Sequence, residues 1–150
     1  MALNPDFVGR SYPGGEPYLV SRERIRAFAD AIGDPQPAYR DVAAARALGY
    51  ADLVAPPTFA IVIALEASVD VVKDPDFGLD YSRVVHGEQR FAYTRPIVAG
   101  DELVMTTTIE TIREAAGNDM VTTRCDLATV AGEHVVTAHS LLVARGKDAA

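Results

Sequence analysis

Apolar positions in the first part of the chain recur at helical spacing. Ser21 is a good N-cap, and Ile25, Phe28, Ala29 and Ile32 follow three or four residues apart before Gly33 closes the run. The pattern predicts an amphipathic helix lying on a core. Gly33-Asp34-Pro35-Gln36-Pro37 cannot continue it, because Pro35 and Pro37 lack amide donors and push Asp34 and Gln36 out of the α region. A rigid polar loop is therefore expected. Asp41 caps a short Ala-rich helix over residues 42–48, closed by Gly49, and a second loop covers residues 50–55. Pro56-Pro57 opens the most informative segment, since residues 59–65 carry no polar side chain and no charge occurs before Glu66. Its length, from 58 to about 72, favours a helix over a buried strand although Ile61, Val62 and Ile63 are β-branched. A helix apolar on every side must be surrounded, and at about 15 residues it spans only roughly 22 Å. A central helix is predicted, buried as one element over residues 58–69.

The second half changes period. Gln89, Phe91 and Tyr93, then Leu103, Met105, Thr107 and Ile109, alternate with more polar neighbours, and Gly100-Asp101 marks the turn between the runs. Residues 120–129 and 133–145 form two further strands about a connection containing Gly132, with Gly117-Asn118 breaking the chain before them. One buried helix followed by long antiparallel strands invites the sheet to wrap around the helix, an α+β class. No repeat or low-complexity stretch occurs.

Composition narrows the function classes. A chain of 150 residues suits one domain over 1–150, with a core from about 5 to 145. Its 49 % hydrophobic and 23 % charged residues are those of a globular protein. With 14 Lys and Arg against 21 Asp and Glu the net charge is -7, and no basic block tracks phosphates, so nucleic acid is not an expected partner. The acidic balance serves solubility. The lone Cys125 fits a reducing compartment and reads as a buried strand residue. His134 and His139 lack the spacing of a metal pair, so no metal is expected. Residues 1–9 lack the features of a secretion signal, and no run reaches the roughly 18 apolar residues of a membrane span. No membrane association is expected, and the cytoplasm is the expected location.

Three blocks then carry a resemblance. Gly33-Asp34-Pro35-Gln36-Pro37-Ala38-Tyr39 resembles the (R)-specific enoyl hydratase signature, in which Gly-Asp, Asn-Pro and a His occur at this spacing. Gly49-Tyr50 and Ala55-Pro56-Pro57-Thr58-Phe59 stand where catalytic members have Gly-Phe and a His-Gly pair leading into the central helix. His86-Gly87-Glu88-Gln89-Arg90-Phe91-Ala92-Tyr93 through Arg95-Pro96 and Gly100-Asp101 completes the pattern. Together they resemble the N-terminal, FAS1-like dehydratase domain of the MaoC-like dehydratase family. The resemblance implies a single hot-dog fold, an antiparallel sheet wrapped around a central apolar helix. It implies the non-catalytic subunit of a (3R)-hydroxyacyl-ACP dehydratase, handling acyl-CoA or acyl-ACP beside a hot-dog partner chain in a hetero- or homodimer, and no cofactor.

The departures from the signature bear on chemistry. Hydration of a trans-2-enoyl thioester needs a water held at C3, a group to exchange its proton, and a proton for C2. In active members an Asp and a His do this. Histidine titrates near pH 6.5 and can act either way, whereas tyrosine, near 10, stays a neutral phenol. Tyr39 could hold a water but would be a poor base. Backbone amides at a helix N-terminus normally stabilise the thioester oxyanion, and Pro56 and Pro57 remove two such donors. No residue is securely catalytic; Asp34, Tyr39 and His86 are the candidates. Gln36, Pro57, Thr58, Phe59, Ile61, Leu65, His86 and Gly87 are the candidate substrate-binding residues, with one side of the central helix bordering an acyl channel. Asp34 could equally organise the turn, Tyr39 pack or hydrogen-bond, and His86 be structural. The leading expectation is an accessory subunit of an (R)-3-hydroxyacyl thioester dehydratase with low activity alone. The alternatives are a self-sufficient homodimeric hydratase using Asp34 and His86, an acyl-thioester-binding protein without catalysis, and a thioesterase, for which Glu66 is the only carboxylate on the central helix.

Overall fold

The computed structural model describes residues 3–146. Met1 and Ala2, at the start of the segment read for a secretion signal, lie outside the described residues, as do the last four residues. The elements in chain order are β1 (Ser11–Pro13), β2 (Tyr18–Leu19), α1 (Arg22–Ala31), α2 (Val42–Ala47), α3 (Ala60–Ala67), α4 (Val69–Lys73), β3 (Val84–Tyr93), β4 (Glu102–Ala115), β5 (Asn118–Thr129) and β6 (His134–Ala144). All strands pair antiparallel in one sheet of order β1-β4-β5-β6-β3, with β2 also on β4, so β3 is an edge strand.

The helix caps behave as their residue types dictate. The Ser21 hydroxyl accepts from the Arg24 amide and the Asp41 carboxylate from the Ala43 amide. The long hairpin between β4 and β5 turns on Ala116 and Gly117, both at positive φ (50° and 74°), the two-residue geometry that matches strand twist. The first two strands were not anticipated, since Pro13-Gly14-Gly15 and Pro17 punctuate them. They form because β4 offers its edge. There a Cβ on Gly14 would stand 3.0 Å from the Met105 carbonyl oxygen, a tight contact that glycine avoids.

The sheet curves around α3. Ala60, Ile63, Ala64 and Ala67 of α3 are buried against Leu103, Met105, Cys125, Leu127, Val136 and Ala138 of the sheet's inner face. Alternation of buried and exposed positions along β4 and β5 is what puts this apolar row on one side. Cys125 is buried and free, and burial pushes its thiol pKa up. A second cluster, with Phe7 stacked on Phe77 at 5.3 Å and Val71, Ile109 and Val121 around them, closes the far end. This is the helix-in-sheet, α+β arrangement expected of a hot-dog fold.

The central helix differs from expectation in two respects. It is not one element over residues 58–69: it begins at Ala60, after a tight turn in which the Phe59 amide bonds the Pro56 carbonyl, and it breaks at Ser68. The Ser68 hydroxyl donates to the Ala64 carbonyl at 2.7 Å, competing with the backbone at that point. Nor is it enclosed all round, because Leu65 is 53 % exposed and Ile61 and Val62 are half-buried. Hydrophobicity on all faces signalled enclosure, but here one face is left open. Among the described residues no helix is long and apolar enough to cross a membrane.

We expect Ile63→Ala, at a fully enclosed position, to cost about 2–5 kcal/mol of stability, whereas Leu65→Ala should cost less than about 1 kcal/mol. Urea unfolding of the two variants measures the difference, and equal losses would contradict the open face.

Candidate functional site

The segment leading into α3 is clamped from the β3–β4 connection. Arg95 makes a two-pronged pair with Asp101, both contacts 2.9 Å, and reaches Glu133 at 2.8 Å. The same Asp101 carboxylate accepts from the Val98 amide at 2.9 Å. The loop so fixed takes the Ala55 amide on the Ile97 carbonyl at 2.8 Å and gives the Ala99 amide to the Leu53 carbonyl at 2.9 Å. Pro56 and Pro57 are thereby set at the N-terminal end of α3.

A cavity of about 190 Å³ opens beside them, lined by Gln36, Tyr39, Leu48, Tyr50, Pro57 and Tyr93 among others. Its chemistry is phenolic and amidic, with no charged side chain in the lining. The Tyr93 hydroxyl donates to the Pro57 carbonyl at 2.6 Å. Burial pushes the Tyr93 pKa up to about 12, with the nearby Ala60 amide pulling the other way. Tyr93 thus occupies the polar groups at the start of α3. Tyr39 is raised above the ordinary phenol value, first by burial and then by the negative charge of Asp34. A phenol so shifted holds even less phenolate at neutral pH than an unperturbed one.

Asp34 lines neither this cavity nor the next one described. Its carboxylate accepts from the Gln36 amide at 3.0 Å, and its carbonyl takes Arg40 Nη1 at 2.5 Å while Arg40 Nη2 pairs with Asp30 at 2.7 Å. The Gly-Asp turn is therefore held by its own loop and the Arg40 guanidinium.

The remaining sequence-derived residues separate. Leu65 and His86 lie together in a second cleft, of about 350 Å³, between α3–α4 and the inner face of the sheet near β3. The His86 imidazole Nε2 lies 3.0 Å from the Glu88 carbonyl, on either side of a β-bulge at Gly87. Phe59 is 1 % exposed and packs edge-on to Phe28 and Tyr18, so it belongs to the core and touches neither cavity. Thr58, Ile61 and Gly87 line neither cavity. Glu66 borders a different cleft, with Tyr18, Arg24 and Met105. His134 bonds Thr94 and Thr137, and His139 Nδ1 lies 3.4 Å from Glu110, on polar positions of the sheet. Among the described residues no cluster of His, Cys, Asp and Glu could hold a metal.

Sequence reasoning placed Tyr93 in a strand but not in the site, named Tyr50 only as part of a motif, and passed over Lys73. For Tyr93 a signal existed: it shares the inward parity of Gln89 and Phe91. No comparable signal marks Lys73, which lines the second cleft from α4.

Residues 6–138 match the family described as FAS1-like, dehydratase domain region. The chain is 60 % identical over 148 residues to a UPF0336 protein of Streptomyces avermitilis, covering 99 % of each. It is 53 % identical to a UPF0336 protein of Thermobifida fusca, covering 97 % of this chain and 96 % of that one. Among solved structures it is similar to a MaoC-like dehydratase (TM-score 0.88, 38 % identity), covering 95 % of this chain but spanning only 43 % of that protein's length. It is similar also to the HadBC (3R-hydroxyacyl-ACP dehydratase) complex of Mycobacterium tuberculosis, with TM-score 0.86 and 32 % identity over 95 % of this chain and 99 % of that one. The chain belongs to the FAS1-like dehydratase family of MaoC-like hot-dog proteins.

Proposed function

We propose that the protein is the accessory, non-catalytic subunit of an (R)-3-hydroxyacyl thioester dehydratase, a single 150-residue hot-dog domain working in the cytoplasm. A partner hot-dog chain supplies the Asp and His, and this chain shapes the acyl side of the site. One observation carries the reading. At the position of the signature histidine stands Tyr39, a phenol raised by burial and by Asp34, while the Asp34 carboxylate is engaged by the Gln36 amide.

The start of α3 supports the same reading. Catalytic hot-dog hydratases need a free backbone donor there for the thioester oxyanion. In this chain Pro56 and Pro57, just ahead of α3, carry no amide donor, and the Tyr93 phenol is seated against the Pro57 carbonyl and the Ala60 amide. Losing a positioned general base forfeits roughly 10²–10⁴-fold, and losing oxyanion donors roughly 10²–10³-fold more.

A partner fits at β3. It is an unpaired edge, and another hot-dog sheet added there would continue the sheet and cover the open face of α3. The likeness to the HadBC complex points the same way. In the assembly the acyl-CoA or acyl-ACP would meet this chain through Gln36 and Pro57 at one cavity and Leu65 and His86 at the other.

We expect the purified chain to hydrate crotonyl-CoA several orders of magnitude more slowly than an Asp/His hydratase, and a partner carrying that pair to restore the rate. Rapid turnover by the chain alone, abolished by Asp34→Asn, would establish the homodimeric enzyme instead. In the restored complex Tyr39→Phe should change kcat by less than about tenfold, since the phenol transfers no proton. Sedimentation at micromolar concentration should show a dimer or larger species for the chain, because the β3 edge and the open helix face seek cover; a clean monomer counts against self-association.

A further inference from the structure

The floor of the cleft beside α3 and α4 carries a polar row in an apolar surface. Strand register sets Thr123 of β5 opposite Ser140 of β6, and Ser140 opposite Gln89 of β3. The neighbours of this row on the inner face are Val121 and Cys125 on β5, and Ala138 and Leu142 on β6. Most other polar groups of the lining are satisfied without a ligand. Lys73 and His86 are exposed, Tyr81 is 68 % exposed, and the Ser68 hydroxyl is spent on the Ala64 carbonyl. Thr123 is different. It lines the cleft while only 4 % exposed, and its hydroxyl bonds no other group among the described residues. The other buried polar side chains among those residues, Thr107 and Asp119, have partners in the Ala67 carbonyl and the Leu3 amide. A deep hydroxyl without a partner costs stability unless something that enters the cleft bonds it.

The hydrogen of Ser140 is already committed. Its hydroxyl donates to Gln89 Oε1 at 2.6 Å, and the Gln89 amide nitrogen faces the Arg90 carbonyl at 3.5 Å. Toward the cleft Ser140 is therefore an acceptor only, while Thr123 is free to donate. Directly opposed side chains on neighbouring strands stand roughly 4.5–5.5 Å apart at Cβ, so one ligand oxygen can touch both. The group that accepts from Thr123 and donates to Ser140 is a hydroxyl. A ketone or ether oxygen would leave Ser140 unanswered, and a methylene would leave both. We propose that this row selects acyl chains that carry a hydroxyl beyond the reacting carbons, held between Thr123 and Ser140. The proposal rests on the accessory-subunit reading for the presence of an acyl chain and goes beyond it in naming which chain. On that reading the hydroxyl to be eliminated sits with the partner's Asp and His, so the group met here is a second one farther along the chain. Thr123 and Ser140 bind it and transfer no proton.

The test is an NMR titration of the isotope-labelled full chain with 5-nonanol and with 5-nonanone, each below its solubility limit, read from the amide shifts of β5 and β6. The alcohol should bind about fivefold more tightly than the ketone, the order of gain expected of one hydrogen bond made away from water. Ser140→Ala should bring the alcohol down to the ketone's affinity and leave the ketone unchanged. Thr123→Val, which keeps the shape of the side chain, should weaken both ligands; Thr123→Ala serves in its place should the valine variant lose its dispersed spectrum. Equal affinities for the wild-type chain, a preference that survives Ser140→Ala, or no binding of either ligand would each overturn the proposal, the first because the row would then hold only water. No partner chain enters the titration. A hydratase rate restored by a partner without this preference therefore overturns the selectivity alone, while the preference in a chain that no partner activates overturns the accessory-subunit reading alone.

Discussion

Everything in this molecule depends on how closely α3 approaches the sheet. Three of the four buried α3 positions, Ala60, Ala64 and Ala67, are alanine, so the helix backbone lies close enough for Thr107 of β4 to reach the Ala67 carbonyl at 3.5 Å. Small side chains on the contact face leave the larger ones, Ile61, Val62 and Leu65, no room beneath the helix, and they point to its flanks. The same choice therefore seats the helix and leaves an apolar margin beside it. Leu65 of that margin lines the larger cleft, and the margin accounts for why a segment with no polar residue over 59–65 is not enclosed on all sides.

Much of this was legible in the sequence, and the residues show why. Ser21, Asp41, Gly33 and Gly49 bound their helices because capping chemistry is local and needs nothing from the rest of the fold. The alternation through β4 and β5 was equally readable, since one face of the sheet is buried along nearly its whole length. What escaped was set by tertiary contact. The break at Ser68 depends on a side chain choosing a backbone carbonyl, and β1 and β2 exist only because β4 has an edge to offer. In the candidate site, the motif residues Gln36, Tyr39 and Pro57 are gathered at one cavity, but Leu65 and His86 belong to another. Spacing along a chain marks which residues share a motif; it does not say on which side of a helix each will emerge.

The loss of the histidine and the closure at the start of α3 are physically linked. A helix N-terminus kept free for an oxyanion leaves amides without partners, and in a partly buried place that costs stability unless substrate or water satisfies them. Such a cost is tolerated where catalysis needs the donors. On the accessory-subunit reading, with a phenol at position 39, an open oxyanion site would have no proton chemistry to serve. The arrangement observed is the one that stability alone favours: prolines that carry no donor, and the Tyr93 hydroxyl donating to the Pro57 carbonyl with the Ala60 amide against it. The clamp from Arg95 and Asp101 through the 94–101 loop holds the segment rigid in that state. Rigidity at this end stands against an open apolar margin at the other, and the Ala-lined face of α3 lies between them.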